Sequence, residues 1–136
     1  MDSAQRVVSE VIRDVEQLAV YRKAYAVSLE VHRITLEFPR YEQYDLAQQM
    51  RRASKSICAN LAEGFGKQSI SKAEFRRFVA MAIGSADEMR VWSQYGQDLG
   101  YLPERLARVW RGEYRDIARM LTGLHGKWGR EPSSST

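Results

Sequence analysis

Cysteine occurs once, at Cys58, so no disulfide can form within this chain, and small secreted scaffolds held together by cystine bridges are excluded. A lone thiol inside an apolar helical seam is expected to be a small core residue in a reducing compartment. With three prolines and nine glycines in 136 residues there is little material for the turns of a many-stranded fold, so a helical protein is expected. Histidine occurs only at His32 and His125, neither with a glutamate three residues before it nor with a second histidine one turn away. The Glu-x-x-His pairs of bundle metal sites are therefore missing; no metal or cofactor is expected, and His32 is expected to serve packing. No apolar run approaches the ~18 residues of a membrane span. The N-terminal MDSAQRVVSEVIRDVE interrupts its apolar residues with charges and reads as neither signal nor anchor, which implies a cytoplasmic protein.

What is present is helical spacing over a length that suits one domain. In residues 44–66, YDLAQQMRRASKSICANLAEGFG, the positions Leu46, Met50, Ala53, Ile57 and Leu61 recur in steps of four and three, as in a helix packed lengthwise on another. Gly64 and Gly66 bracket Phe65 and are expected to close this helix at about Glu63, with Ser69 and Ser71 beyond it as caps. Pro39 should stop the helix before it, and Ser71-Lys-Ala-Glu74 has the spacing of a capping box that starts the third. Gly84 in the middle of that third helix suggests a tight helix crossing, because glycine there costs about 1 kcal/mol against alanine. Gly100 should end it, and a fourth helix is expected from about Pro103 to about Trp128, with Leu106, Val109 or Trp110, Ile117, Met120 or Leu121, Leu124 and Trp128 inward.

Short connections make successive helices antiparallel neighbours, so the expected fold is all-α, an up-down-up-down four-helix bundle over residues 16–128. Residues 1–15 form an expected helical extension with a seam at Ala4, Val8, Val11, Val15 and Leu18, and residues 129–136 an expected disordered tail. The first bundle helix, residues 18–38, carries two apolar rows: Leu18, Tyr21, Tyr25, Leu29, His32 and Leu36, and beside it Val20, Ala24, Val27, Val31, Ile34 and Phe38. A bundle helix buries one stripe about 100° wide, so the second row predicts a homo-oligomer, the alternative being one wide, deeply buried stripe.

Two polar patterns carry candidate sites. Arg52, Ser56, Asn60 and Glu63 share a face near the second turn and read best as a hydrogen-bonded network that locks helix register. A ligand pocket there, or an enzyme built on it, is the weaker reading, since a closed bundle offers no substrate cleft. The second pattern is basic: residues 104–130 hold seven Lys and Arg against Glu104, Glu113 and Asp116, which accounts for the whole formal charge of +4. At about 100° per residue, Arg108, Arg111, Arg115 and Arg119 fall in one stripe opposite the apolar positions, with Arg105 beside it. Such forks suit phosphate, so these five are the candidate nucleic-acid contacts; a merely solvated face is the alternative. Arg51, Arg52, Lys55, Lys67, Lys72, Arg76 and Arg77 make a second basic group, partly offset by Glu63 and Glu74. No aromatic-rich RNA-binding sequence accompanies them, so backbone electrostatics outweighs base reading.

Phe38-Pro39, Glu42, Tyr44, Leu46, Gln49-Met50-Arg51-Arg52-Ala53, Ser56-Ile57, Asn60-Leu61-Ala62-Glu63-Gly64, Phe75, Phe78, Gly84-Ser85, Glu88 and Leu99-Gly100-Tyr101-Leu102 form a specific combination. It resembles, over residues 18–124, the bacterial four-helix-bundle family encoded within intervening sequences of 23S ribosomal RNA genes. The resemblance implies a small ring-like homo-oligomer, a pentamer, and assigns no catalytic residue. A related branch of that fold, the accessory variability protein of diversity-generating retroelements, associates with a reverse transcriptase and nucleic acid, which by analogy makes structured RNA or DNA and such an enzyme partners to consider. The chain departs from the family at residues 1–15, at Asp45, where glycine is frequent, and at Lys67, where arginine is frequent. The reading that results is a non-enzymatic, homo-oligomeric bundle binding nucleic acid, RNA favoured; a protein adaptor or structural oligomer is the alternative.

Overall fold

The spacing of four and three is realised as four antiparallel helices: α1 (Ala19–Thr35), α2 (Leu46–Lys67), α3 (Lys72–Asp98) and α4 (Glu104–Trp128), with single 3₁₀ turns at Val15–Gln17 and Arg40–Glu42. The computed structural model describes residues 14–68 and 70–128, with Trp128 as backbone only. The expected helix over residues 4–13, the tail 129–136, the cap at Ser69 and the inward side chain of Trp128 lie outside the described residues. Within them no strand forms, and no helix is long and apolar enough to cross a membrane.

Each helix turns its apolar stripe inward. Val31, Met50, Ile57, Leu61, Phe75, Val79, Met89, Trp110, Tyr114, Ile117 and Leu121 are fully buried in one core. α3 packs along both α2 and α4, whereas α1 meets α4 over a shorter interface. There Trp110 Nε1 donates to Glu30 Oε1 at 2.6 Å and Lys23 pairs with Glu113 at 3.1 Å. On α4 the inward set shifts from the expected one by a fraction of a turn. Ala107 and Tyr114 are buried, while Val109 and Met120 face out.

Glycine is used differently from expectation. Gly64 and Gly66 do not close α2, which continues to Lys67 with neither glycine at positive φ. Gly64 is instead a point of close approach: a Cβ there would stand 3.0 Å from Phe78 Cβ and 3.4 Å from the Phe75 carbonyl oxygen. Gly84, expected at a tight crossing, is exposed with nothing within 4 Å of where a Cβ would lie. The tight contact on α3 is at Gly96, where a Cβ would lie 2.7 Å from Leu102 Cδ1.

That contact belongs to the end of α3. Gly100 takes φ 85°, Gly100 N–H donates to Gln97 O at 3.0 Å, and Tyr101 N–H donates to Gly96 O at 2.8 Å. This is the Schellman pairing, which satisfies carbonyls the helix leaves without partners. The reversed chain drops Leu102 onto Gly96 and lays Tyr101 against Phe38, with ring centroids 5.2 Å apart. Tyr101 Oη then donates to Glu42 Oε2 at 2.8 Å, while Glu42 Oε1 accepts from the Leu46 amide at 3.2 Å. The α1–α2 and α3–α4 connections are thereby fastened at the same end of the bundle. At the other end Ser71 Oγ accepts from the Glu74 amide at 3.1 Å, half of the expected box. The Glu74 carboxylate accepts from Arg77 instead, at 3.1 and 3.2 Å, and that bond holds its pKa below the usual carboxylate range.

The first helix is shorter than the apolar rows. Leu18 is extended at φ −77° and ψ 128°, so α1 does not continue the preceding segment. At its far end, Leu36 to Phe38 tighten into turns through Glu37 N–H to Ile34 O at 3.0 Å and Phe38 N–H to Thr35 O at 3.1 Å. The helix thus ends at Thr35, before Pro39 is reached.

Gly100→Ala should cost about 1–2 kcal/mol, because an L side chain at that φ is sterically penalised. A lowered urea midpoint with an unchanged slope would show it, and an unchanged midpoint would mean the turn has another conformation available.

Candidate nucleic-acid interface

α4 acquires its two-sided character from its sequence period. Ala107, Trp110, Tyr114, Ile117 and Leu121 fill the inward stripe, which leaves Arg105, Arg108, Arg115 and Arg119 exposed on the outside. These four arginines take part in no ion pair among the described residues. Arg111 differs. It is half-buried, and its Nη1 donates to Gln97 Oε1 on α3 at 3.0 Å, so its guanidinium is partly committed to the α3–α4 seam.

One further arginine joins the stripe from outside α4. A groove of about 470 Å³ between α3 and α4 is lined by Arg90, Arg115 and Arg119 together with Asp87, Ile83, Ala118 and Thr122. Arg90 also reaches Asp87 at 3.7 Å, a long and half-exposed pairing that leaves its remaining donors toward the groove. The separation of 25 residues between Arg90 and Arg115 hides this neighbour from any single-helix reading. Such a surface can grip phosphate oxygens by paired N–H donors, and its shallow form suits a polyanion running across it better than an enclosed small molecule.

The polar row on α2 is only partly drawn together. Arg52 and Glu63 are exposed, and Ser56 and Asn60 are half-buried. Asn60 Nδ2 donates to the Ser56 carbonyl at 2.8 Å, and Ser56 Oγ hydrogen-bonds Ser85 Oγ across to α3. The inter-helix bond therefore runs from Ser56 to Ser85, with Arg52 and Glu63 at the rim.

A buried polar cluster lies one residue away, on Arg51. Its Nη1 donates to Thr35 Oγ1 at 3.0 Å, and its Nη2 donates to Gln43 Oε1 at 3.0 Å and to the Gln43 carbonyl at 3.2 Å. Gln43 Nε2 in turn donates to the carbonyls of Thr35 at 2.9 Å and Phe38 at 3.0 Å. Arg51 is thus withdrawn from the second basic group. Arg77 is withdrawn as well, paired with Glu74 and lying 4.6 Å above the Phe78 ring. Lys55, Lys72 and Arg76 remain exposed.

His32 is half-buried beside Lys55. Burial, then the charges of Lys55, Arg51 and Arg33, lower its pKa. Cys58 is half-buried, and burial pushes its thiol up to about 11. No group of three or more His, Cys, Asp or Glu side chains placed to hold a metal ion occurs among the described residues.

Arg51→Met should destabilise the fold by about 1.5–3 kcal/mol, since it removes charge-assisted bonds at a half-buried site. Arg52→Met, one residue along but exposed, should change stability by no more than about 0.5 kcal/mol. Equal effects in denaturant titrations would contradict the division of labour between the two neighbours.

Comparison with known proteins was made against this geometry. Residues 16–123 match the family model described as 23S rRNA-intervening sequence protein. The comparison with curated proteins finds no match. Among solved structures, a protein of unknown function from the S23 ribosomal protein family of Bacteroides thetaiotaomicron superposes with a TM-score of 0.69 at 19% sequence identity. The alignment covers 78% of this chain and 94% of that one, and at this identity the likeness is one of fold.

Proposed function

The chain belongs to the 23S rRNA-intervening sequence protein family, and we propose that it works as a non-enzymatic, homo-oligomeric bundle that holds structured nucleic acid, RNA in preference, through electrostatics. The observation that carries this reading is the exposure of Arg105, Arg108, Arg115 and Arg119 on one side of α4 without ion-pair partners among the described residues. Outside residues 104–130 basic and acidic residues are equal in number, so the excess charge is concentrated in that stretch. Phosphate contact releases counterions, which makes binding fall steeply with salt. Arg90 extends the surface onto α3, and Arg111 contributes less because Gln97 already engages it.

Repetition in an oligomer would turn one stripe into a broad positive surface. Support for assembly comes from side chains that a single copy leaves in water. Tyr25, Leu29 and Leu36 of the first apolar row stay exposed on α1, Leu36 at 57%. A second group, Met81, Val91, Tyr95 and Leu99, stands out from α3. Apolar surface of that extent on two helices is usually covered by another chain. The same observation favours the second reading, an adaptor that docks a partner protein such as a reverse transcriptase on these faces, independently of nucleic acid.

Light scattering after size-exclusion chromatography separates the readings, run on nuclease-treated protein with and without structured RNA at low and high salt. A discrete oligomer that takes up RNA at low salt and releases it at high salt is the expected outcome. A monomer would remove the assembly, and an oligomer indifferent to RNA would leave the adaptor. Replacing Arg108, Arg115 or Arg119 singly by Gln should reduce the log–log salt slope of RNA binding by about 1. The Arg111 variant should change it least; an unchanged slope for all three exposed arginines would exclude α4 as the contact surface. Val91→Asp, on the exposed side of α3, should lower the assembly's mass while leaving the fold's helical circular dichroism intact.

A further inference from the structure

On α1, Tyr21, Tyr25, Leu29 and His32 follow one another in steps of four, four and three, and on α2 Lys55 and Cys58 are three apart, so each set shares one face of its helix. Together with Ser28 the two faces line a largely apolar cleft of about 340 Å³. Two of these side chains, Ser28 and Cys58, are small, and α1 packs on α2 over a shorter interface than α3 does. We infer that this cleft binds a small aromatic monocarboxylate, its ring on the Tyr21–Tyr25 wall and its carboxylate on Lys55.

The apolar half of the cleft suits a flat ring. The Tyr21 and Tyr25 rings are stacked, with planes 13° apart and centroids 6.1 Å apart, and Tyr25 and Leu29 remain 49% and 40% exposed beside the opening. Aromatic surfaces of this kind favour offset stacking of a second ring. The volume lies at the lower end of the ~300–1,000 Å³ usual for ligand sites, which fits a small molecule and not a polymer. Cys58 extends the wall without reacting. Its thiol donates to the Tyr21 carbonyl at 3.9 Å, and burial pushes its pKa up to about 11, so it stays protonated at neutral pH.

The polar half suits one negative charge. Lys55 is exposed, no carboxylate shares the lining with it, and it takes part in no ion pair among the described residues. His32 is the second polar group, and its buried Nδ1 has no hydrogen-bond partner among the described residues. Burial, then the charges of Lys55, Arg51 and Arg33, lower its pKa, so the imidazole is neutral at neutral pH in a positive surrounding. Ser28 Oγ already donates to the Tyr25 carbonyl at 2.7 Å and adds no donor. A single ammonium matches a monocarboxylate, whereas a phosphate dianion would keep a charge unmatched. The cleft is also separate from the arginine stripe, since α2 and α4 stand diagonally in the bundle without contact. With Tyr25 and Leu29 covered by ligand, Leu36 of α1 and the exposed apolar side chains of α3 remain for a neighbouring copy.

Calorimetric titration of the full, nucleic-acid-free chain with naphthoate and with the uncharged naphthamide tests the assignment. Naphthoate should bind saturably, and naphthamide about tenfold more weakly, as expected for the loss of one charge-assisted contact. Lys55→Gln, at an exposed position, should bring naphthoate down to the level of naphthamide, whereas Arg115→Gln on α4 should leave both unchanged. The place of binding is read at Cys58, the one thiol of the chain and part of the lining. Naphthoate should slow its alkylation by iodoacetamide several-fold in the parent chain and much less in Lys55→Gln. No saturable uptake, equal binding of the two probes, or weakening by Arg115→Gln would overturn the inference. So would an alkylation rate that ignores naphthoate and falls only as the protein is concentrated, which would give the cleft to a second copy of the chain.

Discussion

The last carbonyls of α1 have no partners within the helix, and the way they are met sets the geometry of the bundle. Gln43 donates its side-chain amide to the carbonyls of Thr35 and Phe38, and Arg51 donates to Gln43 and to the Thr35 hydroxyl. Thr35 is fully buried, so these groups are cut off from water and would each cost 1–3 kcal/mol, in rough terms, if left unmet. Arg51, on the second turn of α2, thereby ties that helix to the end of α1. The opposite connection depends on it too, since Tyr101 rests on Phe38 and reaches Glu42 in the turn that Gln43 closes.

With both connections fixed at one end, α4 has little freedom to rotate. Trp110 and Tyr114 are fully buried in the core, and Trp110 is further held by its bond to Glu30. The arginine stripe is thus presented by packing on the other side of the helix. None of its exposed members spends its charge on a local carboxylate, whereas Arg77 and Arg90 both have one. Surface ion pairs of that kind contribute little to stability, about 0–1 kcal/mol each, so the difference matters for what the surface can attract more than for the fold.

Much of the architecture was legible because it is periodic. The number and order of helices, the Gly100 reversal and the outward Arg105, Arg108, Arg115 and Arg119 all follow from spacing along one chain. The parts that were not legible depend on what lies opposite. Gly64, Gly84 and Gly100 look alike in sequence, yet the first makes room for Phe78, the second faces solvent and the third turns the chain. Tyr114 was absent from the expected inward set and is buried, while Val109, named there as the alternative to Trp110, faces out; helical phase decides both. Arg51 and Arg52 are indistinguishable as residue types. The 100° between them puts one guanidinium against Gln43 and leaves the other in water. Arg90 could join the α4 surface only through the α3–α4 contact, which no local pattern encodes.

The two exposed apolar faces differ in what surrounds them, and that bears on what covers each. Along α1 the uncovered Tyr25 and Leu29 border a cleft shared with α2, whose polar lining is Ser28, His32 and Lys55. On α3 the uncovered Val91 and Tyr95 border a second groove, shared with α4 and lined by Asp87, Asp98, Arg90 and Arg111, where acids and bases balance. A neutral, mixed-charge rim lets a neighbouring copy approach without net repulsion. The α3 face is therefore the one suited to a large partner. Of the α4 arginines, Arg111 lines that groove, while Arg105, Arg108, Arg115 and Arg119 are not among its lining residues.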